Sequence, residues 1–263
     1  MLIRVLMENN ALDERFIAEQ GLSLYIEANG KKILFDAGQT DAFAENAAKL
    51  GVDLAAVDFC VLSHGHYDHS GGLLRFLNLN DRAPVYMHRL AGEPHYNGTA
   101  KYIGIGDELI GHPRVILTGD ELDLGCGMRL ATCNHLAQGC PASARGMTVK
   151  RGEDFMQDGF DHEQYLIIEE ACRRIVISGC SHKGILDIAA WLEPDVLIGG
   201  FHFMKMNPDG EDRAFLEYAA QELLVRDCTY YTGHCTGEAA FAFLKERMGG
   251  RLKDIHAGME IVV

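Results

Sequence analysis

Residues 63–72 constrain the fold and the chemistry of this chain more than any other segment. They read Ser-His-Gly-His-Tyr-Asp-His-Ser-Gly-Gly, so His64, His66, Asp68 and His69 stand within six positions. Neutral imidazole and ionised carboxylate are ligands that suit zinc, iron or manganese. His64 and His66 are two apart and point the same way in an extended segment, whereas the adjacent Asp68 and His69 diverge. We therefore expect one loop to supply half of each of two neighbouring metal sites.

The flanking residues predict where this loop lies. The apolar stretch 57–62 indicates a buried strand, and residues 71–77 indicate the start of an amphipathic helix. The loop thus follows the carboxyl end of a strand, which is where ligands bind in α/β proteins. The alternative is a histidine-rich surface loop with chance spacing, but such a loop would not need a strand before it and a helix after it.

Hydrophobic patterning predicts two groups of strands, each with helices after it. Asn29-Gly30 is a strong signal for a hairpin turn, and Gly51 is a suitable helix cap. This order fits a four-layer αββα sandwich. The first group has strands near 2–7, 22–28, 31–36 and 57–62 and a helix near 40–50. The second has strands at 163–169, 174–178, 196–198 and 228–232 and helices at 185–192, 211–225 and 238–248.

Motifs spread over almost the whole chain carry a family resemblance. Besides the histidine-rich loop they are residues 8–10 (Glu-Asn-Asn), 19–23, 34–39, 178–185 (Ser-Gly-Cys-Ser-His-Lys-Gly-Ile), 199–202 and 233–237 (Gly-His-Cys-Thr-Gly). Together they resemble the metallo-β-lactamase superfamily. Within it they resemble the branch typified by the dihydropterin–ribofuranosylaminobenzene phosphate synthases. The resemblance implies an αββα sandwich, and we expect residues 1–263 to form a single metallo-β-lactamase-like domain with two metal ions.

Further metal ligands are expected at the ends of later apolar strands. Cys180 and His182 follow residues 175–179, and His234 follows residues 229–233. The resemblance places a bridging aspartate or cysteine at the position of Cys180, and in this branch favours His182 as a ligand, so both stay candidates. The predicted ligands are His64, His66, Asp68, His69, Cys180, His182 and His234.

The resemblance also implies one supporting residue and one further ligand. Asp36, at the end of a predicted strand, is expected to accept the N–H of a ligating imidazole and so fix its tautomer; a turn-capping aspartate is the alternative. One ligand of the first site stays open. It is sought among the histidines between the first loop and the second strand group, namely His88, His95, His112, His135 and His162.

Catalytic and substrate-binding residues are predicted around these ligands. Asp68 is assigned a catalytic role beside its role as a ligand. His202 follows Gly199-Gly200-Phe201, and we expect it to donate a proton or contact an anion at the rim; a packed histidine is the alternative. For an anionic substrate we expect contacts from Lys183, Arg145 and His162. Of the two cationic side chains, Lys183 is the first candidate and Arg145 the second.

Composition narrows the class of protein. The chain has 263 residues, 48% of them hydrophobic, and a net charge of −14, which disfavours a nucleic-acid binder. It has no apolar run of the roughly 20 residues that a membrane helix needs, and we expect its first residues to form a strand and not an export signal. The eight cysteines show no zinc-ribbon spacing, and Cys126, Cys133 and Cys140 are expected to be buried free thiols. We therefore expect a cytoplasmic protein without a membrane or nucleic-acid partner, compatible with a homo-oligomer.

The function predicted from these features is that of a dinuclear metal-dependent enzyme. The metallo-hydrolase type would act on a phosphorylated or ester-like small molecule, and the resemblance adds a synthase-like reaction on a dihydropterin. Two divalent ions are expected, with zinc first and iron or manganese as alternatives. The alternatives to this function are a redox protein with a di-iron site and a non-catalytic metal-binding protein of the same fold.

Overall fold

The strands and helices follow the two predicted groups, with additions between them. A computed structural model describes residues 1–136 and 146–263. In chain order the strands are β1 (Leu2–Met7), β2 (Ser23–Ala28), β3 (Lys31–Phe35), β4 (Phe59–Val61), β5 (Val85–His88), β6 (His95–Asn97), β7 (Lys101–Tyr102), β8 (Val115–Thr118), β9 (Glu121–Gly125), β10 (Met128–Ala131), β11 (Met147–Arg151), β12 (Asp154–Gln157), β13 (Tyr165–Glu170), β14 (Arg173–Ile177), β15 (Val196–Ile198), β16 (Thr229–Thr232), β17 (Leu252–Asp254) and β18 (Glu260–Val262). The α-helices are α1 (Ala42–Lys49), α2 (Tyr67–Ser70), α3 (Leu73–Leu79), α4 (Ile185–Leu192), α5 (Arg213–Val225) and α6 (Glu238–Met248), and short 3₁₀ helices span Leu54–Ala56, His234–Thr236 and Gly249–Arg251.

Two large sheets and one small sheet organise these strands. The first seven-stranded sheet has the order β18-β1-β2-β3-β4-β5-β8, and the second has the order β17-β16-β15-β14-β13-β10-β9. A four-stranded sheet has the order β12-β11-β6-β7. The first large sheet is built from the first half of the chain plus β18, and the second from residues after 120, as the two strand groups predicted.

Three apolar clusters define the layers. Between the two large sheets, buried side chains such as Phe35 of β3 and Ile177 of β14 belong to one cluster. On the outer face of the first sheet, Phe43 of α1 and Phe76 of α3 cover the strands. On the outer face of the second sheet, α4, α5 and α6 bury another cluster that includes Leu216. Helices therefore cover both outer faces of a sheet pair, and the predicted αββα sandwich is confirmed.

Strand direction brings the loops of interest to one edge. β3 and β4 are parallel, and so are β14, β15 and β16. The carboxyl ends of parallel strands meet at the same edge of a sheet, so the loops after these strands converge. Two predicted turns support the frame: Asn29 and Gly30 have φ values of 47° and 75°, and Gly51 follows α1 with φ 68°.

The structure departs from the sequence-based expectations in three places. The single helix expected from residue 71 is two helices, since α2 already carries Asp68 and His69 and α3 begins at Leu73. The small sheet was not predicted at all. Cys133 is a buried free thiol as expected, but Cys126 is exposed in the turn between β9 and β10, and Cys140 lies outside the described residues.

Among residues 1–136 and 146–263, no helix is both long and apolar enough to cross a lipid bilayer.

Candidate metal centre and cleft

The expected ligands converge at the shared strand edge. The loop after β4 brings His64 and His66, and α2 adds Asp68 and His69. From the second sheet, the turn after β14 brings Cys180 and His182, and the 3₁₀ turn after β16 brings His234. All seven side chains are buried, none more than 8% exposed. A site that takes half its ligands from each sheet lies at the seam of the sandwich.

Hydrogen bonds set the tautomer of three of these imidazoles. The Ser63 hydroxyl donates its hydrogen to Asp36 Oδ2 at 2.7 Å, so it accepts from His64 Nδ1 at 2.8 Å. Asp36 Oδ2 also lies 2.7 Å from His69 Nδ1. The third imidazole, His234, has its Nδ1 2.8 Å from Asn9 Oδ1. Each Nδ1 therefore carries the hydrogen, and each Nε2 keeps a lone pair for a metal ion.

One group of nitrogens forms a first ligand set. Ligand atoms of His64, His66 and His182 all lie within 4.8 Å of one another. His64 Nε2 and His182 Nε2 are 3.3 Å apart. That distance equals the separation of about 3.3 Å that tetrahedral geometry gives two nitrogens with Zn–N bonds of roughly 2.05 Å. His66 Nε2 is buried and has no hydrogen-bond partner among the described residues, as an atom reserved for a metal ion would be.

A second ligand set adjoins the first. Ligand atoms of Asp68, His69 and His234 also lie within 4.8 Å of one another, with His234 Nε2 3.7 Å from Asp68 Oδ2. Cys180 belongs to a group with His64 and His69, and its Sγ is 3.2 Å from His69 Nε2. Cys180 thus lies between the two sets, at the position where the family resemblance expects a bridging ligand.

Electrostatics keep most of these groups in the form that binds metal. Burial lowers the pKa of His64, His66 and His182 well below the ordinary imidazole value and lowers that of His234 to about 3, so all four stay neutral. Burial opposes protonation of His69 as well, but the Asp36 carboxylate outweighs it and raises the pKa of His69.

The two non-histidine candidates differ in charge. Burial favours the neutral form of Asp68, yet His69 and His234 outweigh it and hold the pKa of Asp68 below its usual value. Burial raises the pKa of the Cys180 thiol well above its ordinary value, so a divalent ion is the charge that would deprotonate it. A neutral imidazole set, a carboxylate and a thiol that ionises on metal binding together fit divalent cations.

Unusual backbone conformations cluster at the same edge. Ser181, His202 and His234 have φ values of 57°, 57° and 48°, a left-handed region that non-glycine residues seldom adopt. The Ser181 turn, held by a 2.8 Å hydrogen bond between the Ser178 and Ser181 hydroxyls, aims His182 inward. Such conformations persist where the surrounding structure enforces them and are common at functional sites.

Side chains of the N-terminal segment hydrogen-bond to the second ligand set. The sequence did not predict these contacts. Glu8 is 1% exposed, and its Oε1 accepts the backbone N–H of His234. Asn9 Oδ1 fixes the His234 tautomer, and Gln20 Nε2 donates to Asp68 Oδ2 at 3.1 Å. The motifs at residues 8–10 and 19–23 were recognised as part of the family resemblance, but no role was assigned to them.

Lys183 lies elsewhere than expected. Its side chain is fully buried, and its Nζ donates to Thr132 O, Asn134 Oδ1 and Glu163 O at 2.7, 2.7 and 3.0 Å. Burial lowers the pKa of this amine, and its three acceptors hold it beneath the turn after β14. The structure therefore does not bring Lys183 to the cleft as a substrate contact, because its donors are already used inside the protein.

The other predicted substrate contacts, and the histidines considered for the unassigned ligand, lie in different environments. His162 Nδ1 accepts the Gly65 N–H at 2.9 Å, and its ligand atom groups with His66 and Asp158 behind the first set instead of opening to the cleft. Among the histidines considered for the unassigned ligand, His162 therefore lies nearest the predicted ligand loop. His135 is exposed. Arg145 lies outside the described residues.

A cleft of about 200 Å³ opens over both ligand sets. Asp68 and His202, the two side chains predicted to be catalytic, line it, and the His202 ring centroid is 4.4 Å from that of His182. The remaining wall comes from the small sheet and from the loop after β15 and includes Asn97, Lys101, Ile103, Met147, Met204 and Lys205.

Comparisons with known proteins agree with this geometry. A sequence model of the metallo-beta-lactamase superfamily matches residues 17–140. A solved structure described as a metal-dependent hydrolase of the beta-lactamase superfamily superposes with a TM-score of 0.83 at 29% identity, covering 100% of this chain and 99% of that one. The chain is similar to the metallo-β-lactamase superfamily in the sequence of residues 17–140 and in the fold of the whole chain. Its fold is one that binds divalent metals and generally serves enzymes.

Two curated relatives from Methanocaldococcus jannaschii cover nearly the full chain. One is an uncharacterised protein with 27% identity, spanning 93% of this chain and 94% of its own length. The other is 7,8-dihydropterin-6-methyl-4-(beta-D-ribofuranosyl)-aminobenzene-5'-phosphate synthase, with 29% identity over 92% of this chain and 90% of that protein. The resemblance to this branch of the superfamily is confirmed as a similarity of sequence.

Proposed function

We propose that the protein is a dinuclear metal-dependent enzyme of the hydrolase type that acts on an anionic, phosphorylated or ester-like small molecule. The observation that carries this proposal is the pair of adjoining ligand sets, one of three histidines and one of Asp68, His69 and His234, beneath a single cleft. Zinc is the ion we expect first, because the set combines imidazole, carboxylate and thiol; iron and manganese are the alternatives.

Bound divalent ions would supply Lewis acidity, which lowers the pKa of water and neutralises charge on a leaving oxygen. The side chains of the chain supply orientation and proton transfer. Asp68, held ionised and hydrogen-bonded by Gln20, offers a proton acceptor at the floor of the cleft. His202, which lines the cleft beside His182, would donate a proton to a leaving group.

A synthase-like reaction is a second candidate, favoured by one observation. The relative named as a dihydropterin synthase aligns over 92% of this chain, so the likeness includes the cleft and not only the ligand loop. In that reaction the same centre would stabilise the charge of a departing pyrophosphate while a second substrate forms the new bond. Both candidates use the ligand sets in the same way and differ in the attacking group.

Metal analysis and turnover test the proposal together. Protein purified without chelator should contain about two divalent ions per chain and should hydrolyse members of a panel of phosphodiesters, lactones and carboxylic esters. Chelation should abolish turnover, and added zinc should restore it. A chain that neither contains nor takes up metal, or that is loaded with metal and converts no member of the panel, would contradict the hydrolase.

A pterin pyrophosphate separates the two reactions. A synthase should release pyrophosphate from it only when an aminobenzene co-substrate is present, whereas a hydrolase needs water alone. Cobalt substitution adds a structural readout: a thiolate-to-cobalt absorption that Cys180→Ser removes would place the Cys180 sulfur on the metal. An unchanged spectrum in that variant would leave His182 as the ligand from this turn.

A further inference from the structure

The small sheet presents one row of side chains to the cleft. Lys101 of β7 is paired with Asn97 of β6, and Asn97 is paired in turn with Met147 of β11. Residues directly opposite on neighbouring strands project on the same face. All three line the cleft over the ligand sets. An ammonium, an amide and a thioether thus stand side by side across three strands, facing the metal ligands.

A buried hydrogen bond lies where this sheet meets the metal ligands. His95, two residues before Asn97 on β6, is 1% exposed, and its Nδ1 is 2.7 Å from Asp158 Oδ2. The His95 ring lies 5.9 Å from the ring of His66, measured between centroids. The row of side chains is therefore held at a defined place relative to the predicted metal ligand.

Lys101 is held over the cleft and is not neutralised there. Its Nζ lies 5.6 Å from the centroid of the Tyr67 ring, and Tyr67 stands between His66 and Asp68 in the chain. In the part of the chain that the structure describes, no carboxylate forms an ion pair with Lys101 or Lys205. The contact with an aromatic face orients the ammonium without using its hydrogen-bond donors.

The charge of the cleft runs against that of the whole chain. The chain has 38 acidic and 24 basic residues, yet the cleft lining contains Lys101 and Lys205 against one carboxylate, that of Asp68. Asp68 lies at the floor with the metal ligands, whereas the two lysines lie on different walls. The wall that carries Lys205 also carries Met204, and the wall that carries Lys101 also carries Met147, so each of the two walls has one ammonium and one thioether.

We infer that the mouth of the cleft is a binding site for a terminal phosphate joined to an apolar body. Lys101 and Asn97 bind the phosphate oxygens, Lys205 adds charge from the opposite wall, and the thioethers of Met147 and Met204 contact the apolar part. This inference rests on the proposed function, since it gives the substrate of that cleft a chemical class. It assigns substrate selectivity to the small sheet, apart from the metal ligands.

Phenyl phosphate is the probe that tests this site, since it joins a phosphate to an apolar ring. Its binding to the metal-loaded protein is measured by titration calorimetry for the wild type, Lys101→Gln, Asn97→Ala and the control Lys150→Gln. Lys150 is on the same sheet, with its Nζ 5.6 Å from the Phe155 ring, but it does not line the cleft. We expect Lys101→Gln to weaken binding roughly 5- to 10-fold, because the contact should contribute more than an exposed ion pair and less than a strong hydrogen bond to a charged group. We expect Lys150→Gln to leave binding unchanged.

The outcomes separate this inference from the proposed function. Equal affinity in the wild type and Lys101→Gln would overturn it, and so would an equal loss in Lys150→Gln, which would point to general charge instead of a site. Loss in Lys101→Gln alone supports it, even if no ester is turned over and the proposed hydrolase fails. Turnover of esters without any dependence of phenyl phosphate binding on Lys101 leaves the hydrolase standing and removes the phosphate site.

Discussion

At the scale of single residues, the position of one hydrogen on each imidazole prepares the centre for metal. Ser63, Asp36 and Asn9 each accept a hydrogen bond from an Nδ1, which leaves the Nε2 lone pairs of His64, His69 and His234 available to a metal ion. Removing a partner of this kind typically lowers metal affinity by about 10- to 100-fold. The arrangement exists without any ion, so the protein need not reorganise these side chains in order to bind one.

Replacing His66 with alanine tests the first ligand set. The variant should lose one metal ion per chain and at least about 100-fold in kcat/KM, because a ligand is worth more than the 10- to 100-fold of a residue that supports it. The loop is not part of the apolar core, so the circular dichroism spectrum should stay that of the wild type. His135→Ala is the matched control, since His135 is exposed. Full activity and metal content in His66→Ala would refute the assignment.

Replacing Lys183 with methionine distinguishes a buried structural lysine from a substrate contact. The substitution leaves three buried acceptors without a donor, so the free energy of unfolding should fall by about 2–4 kcal/mol. The same change at Lys150, which is partly exposed on β11, should alter it by less than about 0.5 kcal/mol. Denaturation curves measure both. A stable Lys183→Met protein with an altered KM would restore the substrate role expected from the sequence.

At this scale, the sequence predicted the positions of the candidate ligands better than it predicted the surroundings of the lysines. Histidines at strand ends are visible in the chain because the motif and the preceding apolar run occur together. The fate of a lysine depends on which acceptors surround it, and Thr132, Asn134 and Glu163 come from segments that no local pattern links to Lys183. The sequence did not predict a role for Lys101, because its strand has only two residues and no local pattern marks it.

At the scale of elements, two glycines explain how α2 reaches the first sheet. A side chain at Gly71 would place its Cβ 2.0 Å from Gln39 O, and one at Gly72 would place it 2.3 Å from Ala37 O. The loop after β3 and the helical segment after His69 therefore touch backbone to backbone. This close approach divides the single expected helix into α2 and α3 and sets Asp68 and His69 against the strand that carries Asp36.

Gly71→Ala tests that close approach. The added methyl group must push α2 and the loop after β3 apart, which we expect to cost about 1–3 kcal/mol in the free energy of unfolding. Because His69 is two residues away, affinity for the second ion should fall as well, as measured by competition with a chromogenic chelator. Gly250→Ala is the control, since nothing lies within 4 Å of its added Cβ. Wild-type stability and metal affinity in Gly71→Ala would contradict the packing argument.

Regular elements were predictable where their own pattern was long enough. The helices at 185–192 and 238–248 and the strand at 196–198 have the bounds that the sequence predicted. The strand expected from Glu163 begins at Tyr165, because Glu163 turns to accept the N–H groups of His182 and Lys183. The small sheet could not be predicted, since its strands β6 and β7 have three and two residues and pair with distant partners.

At the scale of the whole molecule, the two large sheets share one set of candidate ligands. Residues 64–69 belong to the first sheet, and Cys180, His182 and His234 belong to the second. An ion bound to both sheets stabilises their docked arrangement, because the unfolded chain lacks the assembled site. The Glu8 and Asn9 contacts with His234 add a second connection between the sheets at the same place.

Metal removal and, in the metal-free protein, acidification should therefore each destabilise the protein. Removing one ion present at 1,000 times its dissociation constant should lower the free energy of unfolding by about 4 kcal/mol. In the metal-free protein, His64, His66, His182 and His234 have lowered pKa values. Below the unfolded pKa of about 6.5, the unfolded chain then binds more protons than the folded one, so stability falls as pH decreases.

His69 contributes with the opposite sign, because its pKa is raised in the folded protein. Its stabilisation is present below about pH 6.5 and is lost as the pH rises through the folded pKa. Four groups against one leave a net loss of stability on going from pH 7 to pH 5, which urea denaturation of chelated protein at several pH values measures. Stability that rises on acidification would contradict the burial of these imidazoles in neutral form.

The row formed by Lys101, Asn97 and Met147 belongs to a hairpin and a neighbouring strand that contribute no residue to the seven predicted ligands. In evolution, these three side chains can be substituted, or the hairpin lengthened, while the candidate metal ligands at the floor of the cleft stay unchanged. New preferences among substrates would then arise by editing one peripheral wall, without passing through inactive ancestors.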